Sequence, residues 1–425
     1  MKRNKTRLQA LPIWALLLTM TLLPALLPSC APKTQETAEE ETTPEPEGPA
    51  DMTEEAELWA DSICDGMSLE EKLAQMVMPA VYAASDSVSL ERLRWYAEDL
   101  KVGGILLLKG DAGSASVMAD TLDAIRDRVP YSPGSFLAVD AETGLGMRFS
   151  DAPLFPWNSE VDRSVGDQTF FEYGQEVGRE ARITGINMVL GPVVDVDRDE
   201  RKGGSVMKRR SLGSDQLRVA ELSLAYARGL ESQGVASVVK HFPGHGPTSS
   251  DSHEVMPKIT TPRDELYAID LMPFRTVVQN GLSCIMVGHI WAEALDSVKR
   301  PASFSPVVIN DLLRGEMGFK GLVLVDAVGM GGARGYTGAD AIAAGADLII
   351  APPDTEKELA GLLKAVEEGK LTQETVDESV KRILFYKYLR FVNSRQRNTQ
   401  GQPAANIEER LHKEAPKVID RLNGE

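Results

Sequence analysis

The chain has 425 residues, of which 43% are hydrophobic and 26% are charged, and its formal net charge is −17. This length and apolar content are sufficient for one large domain with an extensive core. An acidic chain with no basic run beyond its first few residues is a poor candidate for binding nucleic acid.

The first 29 residues are predicted to be a targeting segment. Four basic residues between positions 2 and 7 precede an uncharged apolar stretch, Leu11–Leu27, and Leu-Pro-Ser then leads to Cys30. This order is typical of an export signal, and a cysteine after Leu-Pro-Ser resembles a bacterial lipoprotein cleavage site. We therefore expect a mature chain that is anchored to a membrane through a lipidated Cys30, in the periplasm or at the outer membrane. A plain secretory signal or an uncleaved anchor is the alternative.

Composition divides the rest of the chain into three parts. Residues 30–56 are rich in Glu, Thr and Pro, and are predicted to be an acidic, solvated tether. Residues 57–392 are predicted to form the folded domain. Residues 393–425 are predicted to be a linker followed by an amphipathic C-terminal helix, Ile407–Leu422.

Eight short apolar runs alternate with longer amphipathic stretches in the folded domain. The runs are Met76–Val81, Gly104–Leu108, Phe136–Asp140, Ile186–Leu190, Ala236–His241, Cys284–His289, Leu322–Asp326 and Ala346–Ile350. Two of the stretches between them, Gln216–Gln233 and Asp264–Asn280, have helical spacing. This alternation is typical of a single (β/α)8 barrel of the TIM type. A doubly wound open sheet is the alternative, although no Gly-rich phosphate-binding fingerprint follows the first run.

Ionisable residues stand at or just after the C-terminal ends of several runs. They are Asp140, Asp195, Lys240, His241, His289 and Asp326. A barrel gathers these strand ends around one mouth, where active sites of this fold are found. The sequence therefore predicts an active site built from several strand ends.

The segment Lys240–His253 reads KHFPGHGPTSSDSH and holds three of the five histidines. A zinc site would use His241, His245 and His253, but the segment lacks the short paired spacing of zinc motifs. A serine nucleophile would need a G-x-S-x-G elbow, which the sequence does not contain. We therefore expect no metal and no cofactor at this site.

Acid/base catalysis by a histidine that an aspartate orients is the remaining interpretation. Asp251 and His253 are two residues apart, so Asp251 can accept a hydrogen bond from one imidazole nitrogen and make the other more basic. Asp326 ends the apolar run GLVLVD, which would hold its carboxylate rigidly in the mouth. Such a carboxylate is suited to attack an anomeric carbon and form a covalent glycosyl-enzyme.

The same motifs resemble a known family, glycoside hydrolase family 3. The matching segments are KHFPGHG with the DSH triplet, MSLEEKLAQM (67–76), DAETGLGMRF (140–149), GINMVLGPVVDVDRD (185–199), RRSLGSD (209–215) and PASFSPVVINDLLRGEMGFKGLVLVDAVGM (301–330). The DSH triplet resembles the bacterial β-N-acetylglucosaminidase branch of that family.

The resemblance implies a role for each matching residue. Asp326 is similar to the family's nucleophile, and His253 is similar to the acid/base residue, with Asp251 as its partner. The residues similar to those that hold sugar hydroxyls are Asp140, Arg148, Arg210, Lys240 and His241. The implied activity is retaining exo-hydrolysis of terminal β-linked GlcNAc from peptidoglycan fragments or other glycans, so a carbohydrate is the expected partner.

Three alternatives stay open. Phosphate could replace water as the acceptor, because a neutral histidine does not repel that anion. The chain could prefer β-glucosides, or it could be a non-catalytic sugar-binding lipoprotein. The last is motivated by Thr143, where the family has a glycine, and by Pro247, where the family commonly has Asp.

Other polar residues near the expected mouth are assigned structural roles. His245, between two glycines, is expected to shape its loop, and Asp195 and Asp197 are expected to organise backbone amides. His289 is expected either to line the pocket or to cap a strand. Trp291, just past a strand end, is the tryptophan to test as a sugar-stacking platform.

Overall fold

A computed structural model describes residues 49–128, 133–198, 207–248, 250–397 and 406–425. The predicted signal segment, Cys30 and most of the predicted tether lie outside the described residues, so these assignments stay predictions. Within the described ranges, no helix combines the length and the apolar character needed to cross a membrane.

Within the same ranges, nine parallel strands form the central sheet and two more pair separately beside it. The strands are β1 (Val77–Met78), β2 (Ala80–Ala83), β3 (Gly104–Gly110), β4 (Phe136–Val139), β5 (Met188–Val189), β6 (Ala236–Phe242), β7 (Lys258–Ile259), β8 (Cys284–Val287), β9 (Trp291–Ala292), β10 (Leu322–Val325) and β11 (Leu348–Ile350). The central sheet has the order β1-β11-β10-β8-β6-β5-β4-β3-β2, and β7 pairs with β9.

The first barrel strand is divided into β1 and β2 by Pro79. Pro79 has no N–H to donate to the ladder, but its carbonyl accepts the N–H of Leu106 at 2.9 Å. β1 pairs with β11 and β2 pairs with β3, so this strand joins the two ends of the sheet. The nearly closed barrel has eight strand positions, which confirms the predicted (β/α)8 fold. The doubly wound alternative is wrong.

Helices lie between the strands and also before the first and after the last of them. They are α1 (Pro49–Gly66), α2 (Leu69–Gln75), α3 (Ser87–Arg94), α4 (Ala112–Arg128), α5 (Asp167–Ile183), α6 (Gln216–Ser232), α7 (Arg263–Glu265), α8 (Met272–Gln279), α9 (Gly338–Ala343), α10 (Thr355–Glu367), α11 (Gln373–Arg397), α12 (Ile407–Leu411) and α13 (Ala415–Leu422). The helix predicted over Asp264–Asn280 consists of α7, a π-helical segment at Leu266–Asp270, and α8.

Helix α6 illustrates how the sequence sets a helix against the barrel. The side chain of Asp215 caps its N-terminus by accepting the N–H groups of Leu217 and Arg218. Tyr226 and Leu230 are four residues apart and both are buried, so they lie on the face that meets the core. Burying a side chain of this size stabilises the fold by about 1.5–3 kcal/mol.

The N-terminal end of the described chain packs on the C-terminal helix of the barrel. α1 begins at Pro49, inside the stretch predicted to be a tether, and Ala56 is completely buried. Trp59 packs against Tyr388 of α11 with their ring centroids 5.5 Å apart. The helix therefore starts earlier than the polar composition suggests, because tertiary packing stabilises it.

The C-terminal residues also pack on the domain. The single helix predicted over Ile407–Leu422 is two helices, α12 and α13, with a proline in the first turn of the second. Arg179 of α5 donates to the carbonyls of Arg410 and Leu411, at 2.9 and 3.0 Å, and so caps the end of α12. Leu411 and Leu422 are fully buried.

Candidate active site

The C-terminal ends of β4 and β6 bring oppositely charged side chains together. Lys240 Nζ donates to Asp140 Oδ1 at 2.7 Å and lies 2.8 Å from Glu142 Oε1. Arg148 Nη2 donates to the other oxygen of Asp140 at 2.6 Å. Arg210 binds both oxygens of Glu142, at 2.7 and 2.8 Å. We refer to these five residues as the charged cluster.

The charged cluster is largely buried and stays ionised. Glu142 is 8% exposed and Lys240 is 2% exposed. Burial raises the pKa of Glu142, but Lys240 and Arg210 lower it further than burial raises it. Lys240 and Arg148 likewise lower the pKa of Asp140 against the effect of burial. The cluster therefore offers fixed donors and acceptors, which suit the hydroxyl groups of a sugar.

His241 is joined to the charged cluster and is oriented by a buried aspartate. Its Nδ1 lies 2.7 Å from Asp195 Oδ2, and its Nε2 lies 3.2 Å from Arg210 Nη2. Because a guanidinium cannot accept a hydrogen bond, Nε2 is the acceptor and Nδ1 carries the hydrogen. Asp195 Oδ1 also accepts the backbone N–H groups of His241 and His245. Asp195 thus organises backbone amides, as predicted, and in addition fixes an imidazole.

Asp326 lies directly after β10, and its backbone N–H continues the ladder with β8. Its Oδ1 accepts the N–H of Ala327 at 2.8 Å. Burial raises the pKa of Asp326, but the groups around it, among them the Ala327 N–H and the Lys240 ammonium, together lower it more. The carboxylate is therefore ionised at neutral pH and held by a rigid strand end, as a nucleophile requires.

Asp251 and His253 form the predicted pair. His253 Nδ1 lies 2.7 Å from Asp251 Oδ1, and the same oxygen accepts the backbone N–H of His253 at 2.9 Å. The two side chains are 39% and 67% exposed, respectively. Burial raises the pKa of Asp251, but its hydrogen bonds from His253 lower it more. The pair, which with Ser252 we call the DSH loop, is thus assembled at the protein surface.

Backbone hydrogen bonds tie the DSH loop to the segment that follows Asp326. Gly332 donates its N–H to the carbonyl of Ser252, and Gly331 donates its N–H to the carbonyl of His253, both at 2.9 Å. A side chain at residue 331 would collide with the backbone of the loop, since its Cβ would lie 2.1 Å from the carbonyl oxygen of Glu254. The two predicted catalytic elements therefore share a direct structural connection.

The three histidines of the KHFPGHG–DSH segment are not arranged as metal ligands. His241 and His245 are buried, whereas His253 is exposed. His245 bonds to Thr248 through Nδ1 and to Ser252 through Nε2, so it shapes its loop as predicted. Among the residues that the structure describes, no group of three or more His, Cys, Asp or Glu side chains is placed to hold a metal ion.

Trp291 is already engaged by groups of the protein. Its Nε1 donates to the carbonyl of Asp296 at 2.9 Å. The ammonium of Lys258 lies 4.6 Å from its ring centroid. Its hydrogen-bond donor and one face of its ring are occupied, which argues against its use as a sugar platform.

The substitution at Thr143 leaves its loop intact. Thr143 is buried, and its carbonyl accepts the N–H of Phe155 at 2.9 Å. Gly144 has φ +74°, and a Cβ there would lie 2.3 Å from the Phe155 ring. Of these two positions, residue 144 is the one whose backbone conformation requires glycine, and this chain has glycine there.

Glu142 is the member of the charged cluster that the sequence reasoning did not single out. It stands in the quoted motif DAETG, two residues after Asp140. A second carboxylate so close to a strand-end aspartate was the available signal, because a buried lysine and arginine need more than one counter-ion.

The folded domain is similar in sequence to a known family and to several named proteins. Residues 68–385 match the Glycosyl hydrolase family 3 N terminal domain. The chain is 28% identical over 353 residues to a beta-N-acetylglucosaminidase/beta-glucosidase of Cellulomonas fimi, which covers 80% of this chain and 61% of that protein. It is 31% identical over 291 residues to a beta-hexosaminidase of Stenotrophomonas maltophilia strain K279a, covering 64% of this chain and 82% of that protein.

A solved structure has a similar fold. The glycoside hydrolase family 3 beta-N-acetylglucosaminidase from Paenibacillus sp. str. FPU-7 aligns with a TM-score of 0.73 at 28% identity, over 84% of this chain and 68% of that chain. The chain spans less than two thirds of the length of the Cellulomonas protein. Residues 68–385, which match the family model, contain the strands of the barrel and the site residues described above.

Proposed function

The chain belongs to glycoside hydrolase family 3, and from that premise we propose that it is a retaining exo-β-N-acetylglucosaminidase. Its substrate would be a glycan that ends in β-linked GlcNAc, such as a peptidoglycan fragment. The name of the similar protein from Stenotrophomonas supports an N-acetylhexosamine as the sugar, whereas that of the Cellulomonas protein includes both GlcNAc and glucose activities. The observation that carries the proposal is the ionised Asp326 on a strand end, connected through backbone hydrogen bonds to the Asp251–His253 pair.

The proposed reaction has two displacements at the anomeric carbon. In the first, Asp326 attacks that carbon, the bond to the glycosidic oxygen breaks, and the oxygen takes a proton from His253 Nε2. In the second, His253 removes a proton from water, the water oxygen attacks the same carbon, and Asp326 is released. Asp251 accepts the Nδ1–H of His253 throughout, which stabilises the imidazolium form. Two inversions leave the β configuration unchanged.

The charged cluster would hold the terminal sugar during both steps. Lys240, Arg148 and Arg210 supply donors, and Asp140 and Glu142 supply acceptors. Because these charges are fixed by one another before substrate binds, little reorganisation accompanies the reaction. Hydrogen bonds to hydroxyls that strengthen as the oxocarbenium-like transition state forms would lower its free energy.

The direct test is p-nitrophenol release from the β-GlcNAc and β-glucose derivatives, by wild type and by Asp326→Ala. We expect faster release from β-GlcNAc. We also expect the variant to lose a factor on the order of 10⁴ or more in kcat, because it lacks the nucleophile. Faster release from β-glucose would instead indicate a β-glucosidase. No release from either sugar by folded wild type would favour a non-catalytic sugar-binding protein.

The same assay distinguishes hydrolysis from phosphorolysis. His253 is exposed, and a neutral imidazole does not repel an anion, so phosphate could replace water as the acceptor. The assay is therefore repeated with inorganic phosphate. Hydrolysis predicts free GlcNAc as the product with or without phosphate. Accumulation of GlcNAc 1-phosphate and a rate that rises with phosphate would reassign the chain as a phosphorylase.

We further propose that the mature protein is a lipoprotein anchored through Cys30 and exported to the periplasm or outer membrane. The support is the sequence of residues 1–30. With the full chain expressed in a bacterium, β-GlcNAc hydrolysis is expected in the membrane fraction for wild type and in the soluble fraction for Cys30→Ala. Equal distribution of activity for the two would count against the anchor.

A further inference from the structure

His289 lies two residues after β8 and is completely buried. Its Nε2 is 3.1 Å from the carbonyl oxygen of Ala327, and its Nδ1 is 2.7 Å from the hydroxyl of Ser303. A carbonyl only accepts, so Nε2 carries a hydrogen. Burial lowers the pKa of His289, so the imidazole is neutral and its Nδ1 accepts from the hydroxyl of Ser303. Both ring nitrogens therefore have a defined partner.

The residue that His289 binds is the one that orients the proposed nucleophile. Ala327 donates its N–H to Asp326 Oδ1 at 2.8 Å, and the carbonyl of Ala327 accepts from His289. Ala327 is thus fixed at its N–H by Asp326 and at its carbonyl by His289. A shift of this residue would rotate the carboxylate of Asp326 away from its position on the strand end.

Gly332, in the segment that follows Asp326, lies close to Cβ of His289 and to the backbone of the DSH loop. A Cβ at Gly332 would lie 2.9 Å from Cβ of His289 and 3.0 Å from the carbonyl oxygen of Ser252. Gly332 and Gly331 donate their N–H groups to Ser252 and His253. The backbone from Asp326 to Gly332 therefore carries the proposed nucleophile at one end and bonds to the DSH loop at the other, and the imidazole of His289 bonds to it at Ala327, next to Asp326.

Two aromatic rings hold the plane of the imidazole. The ring of Phe304 is stacked on His289, with centroids 5.5 Å apart and an interplanar angle of 2°. Tyr336 is in turn stacked on Phe304, at 4.6 Å and 9°. The imidazole cannot rotate without breaking this stack as well as its two hydrogen bonds.

We propose that His289 is a positioning residue for the proposed nucleophile. It places the carboxylate of Asp326 through Ala327, whose carbonyl accepts from the imidazole. The inference rests on the proposed function, because it takes Asp326 as the nucleophile.

The pH profile gives a readout that a space-filling role would not change. The groups that face Asp326 are His241, His289, the Ala327 N–H and Lys240, and those that face His289 are Asp326 and His241. The Ala327 N–H lowers the pKa of Asp326, so loosening Ala327 raises that pKa. Because the nucleophile must be ionised, the acid limb of kcat/KM then moves to higher pH.

The experiment compares His289→Leu, which keeps the volume but removes the N–H, with His289→Gln, which keeps an N–H near the Nε2 position. We expect kcat for β-GlcNAc hydrolysis to fall about 100-fold in His289→Leu, since misplacement by about 1 Å costs this much. KM should change little, because the charged cluster is not altered. His289→Gln should recover much of kcat and show a smaller shift of the acid limb.

Equal losses in both variants with an unmoved acid limb, or a change in KM alone, would overturn the inference. If His289→Leu does not fold, Ser303→Ala is measured instead, because it removes only the donor to Nδ1. For Ser303→Ala, a kcat loss smaller than that expected for His289→Leu, with the acid limb again moved to higher pH, supports the inference. An unchanged pH profile overturns it. His412→Gln, at an exposed position in the C-terminal tail, is the matched control and should behave as wild type.

Nitrogen-15 NMR of the wild-type imidazoles separates this inference from the proposed function. The expected signature is a neutral ring with its hydrogen on Nε2, assigned to His289 by its absence in His289→Gln. Wild type that releases no sugar would overturn the proposed function and the inference with it. Release of sugar by wild type together with a charged or Nδ1-protonated His289 would overturn the inference alone.

Discussion

The charged cluster and the DSH loop differ in burial. In the cluster, Glu142 and Lys240 are almost completely buried, and each bonds to two partners. In the loop, the His253 side chain is 67% exposed and bonds to Asp251. The cluster cannot move without separating buried ion pairs, which is costly. The loop is held by a few backbone hydrogen bonds and can shift at low cost. In the proposed function, sugar recognition is thus assigned to the barrel itself, and proton transfer to an element at the surface.

The largest effect that tests this comparison is expected from His253→Ala. Removing a general acid typically costs 10²–10⁴-fold, so hydrolysis of a GlcNAc disaccharide should fall by about that factor. p-Nitrophenol leaves with little protonation, so the p-nitrophenyl glycoside should lose less. The thermal midpoint should hardly change, because the side chain is mostly exposed.

His412→Ala is the matched control, since that histidine is also exposed but lies in the C-terminal tail. It should leave both the rates and the thermal midpoint unchanged. A clear drop in the midpoint of His253→Ala would contradict the comparison, because the loop would then contribute to the stability of the domain. Equal losses for the two substrates would argue that His253 does not protonate the leaving group.

A second effect, on stability rather than on rate, is expected from Glu142→Gln. The change leaves Lys240 and Arg210 buried with one counter-ion fewer, and breaking such a pair typically costs about 3–5 kcal/mol. The free energy of unfolding, measured by urea denaturation, should fall by about that amount. KM for the β-GlcNAc derivative should also rise, because the donors of the cluster lose their fixed positions.

Glu160→Gln provides the control for this substitution. Glu160 pairs with Arg209 at 2.9 Å, but the two side chains are 51% and 62% exposed. Exposed pairs contribute about 0–1 kcal/mol, so this variant should unfold like wild type. Similar losses in the two glutamate variants would mean that burial does not distinguish the cluster from an ordinary surface pair.

The strands and the strand-end residues were predictable because they follow from local pattern. Buried parallel strands appear as short apolar runs, and the barrel then brings their ends together. The pairing of Asp251 with His253 was predictable because both residues lie in one short loop. The break of the first strand at Pro79 follows from proline chemistry but was not anticipated, because the run Met76–Val81 is apolar throughout.

The roles of Glu142 and His289 were not predictable in the same way. The bond between Glu142 and Arg210 joins residues 68 positions apart, and that between His289 and Ala327 joins residues 38 positions apart. Such contacts depend on how loops close over the strand ends. The start of α1 at Pro49 was not predicted either. The polar composition suggested a tether, but packing against α11 stabilises a helix there.

The smallest expected effect is on the pH dependence of the free energy of unfolding. It allows a direct comparison of the charged cluster with the DSH loop. In the folded chain the pKa values of Asp140 and Glu142 are lowered, whereas in the unfolded chain they are about 3.9 and 4.3. The unfolded chain therefore binds more protons in acid, so the contribution of these groups is complete at neutral pH and is lost as pH falls below about 5. Glu142→Gln removes one such group, so its free energy of unfolding should fall less steeply from about pH 5 to about pH 3 than that of wild type. Asp251→Asn should keep the wild-type slope, because solvent screens the partly exposed Asp251 although its pKa is also lowered. If both variants flattened the slope equally, the DSH loop would be coupled to folding as strongly as the cluster, and the proposed division between a fixed binding site and a movable acid/base would fail.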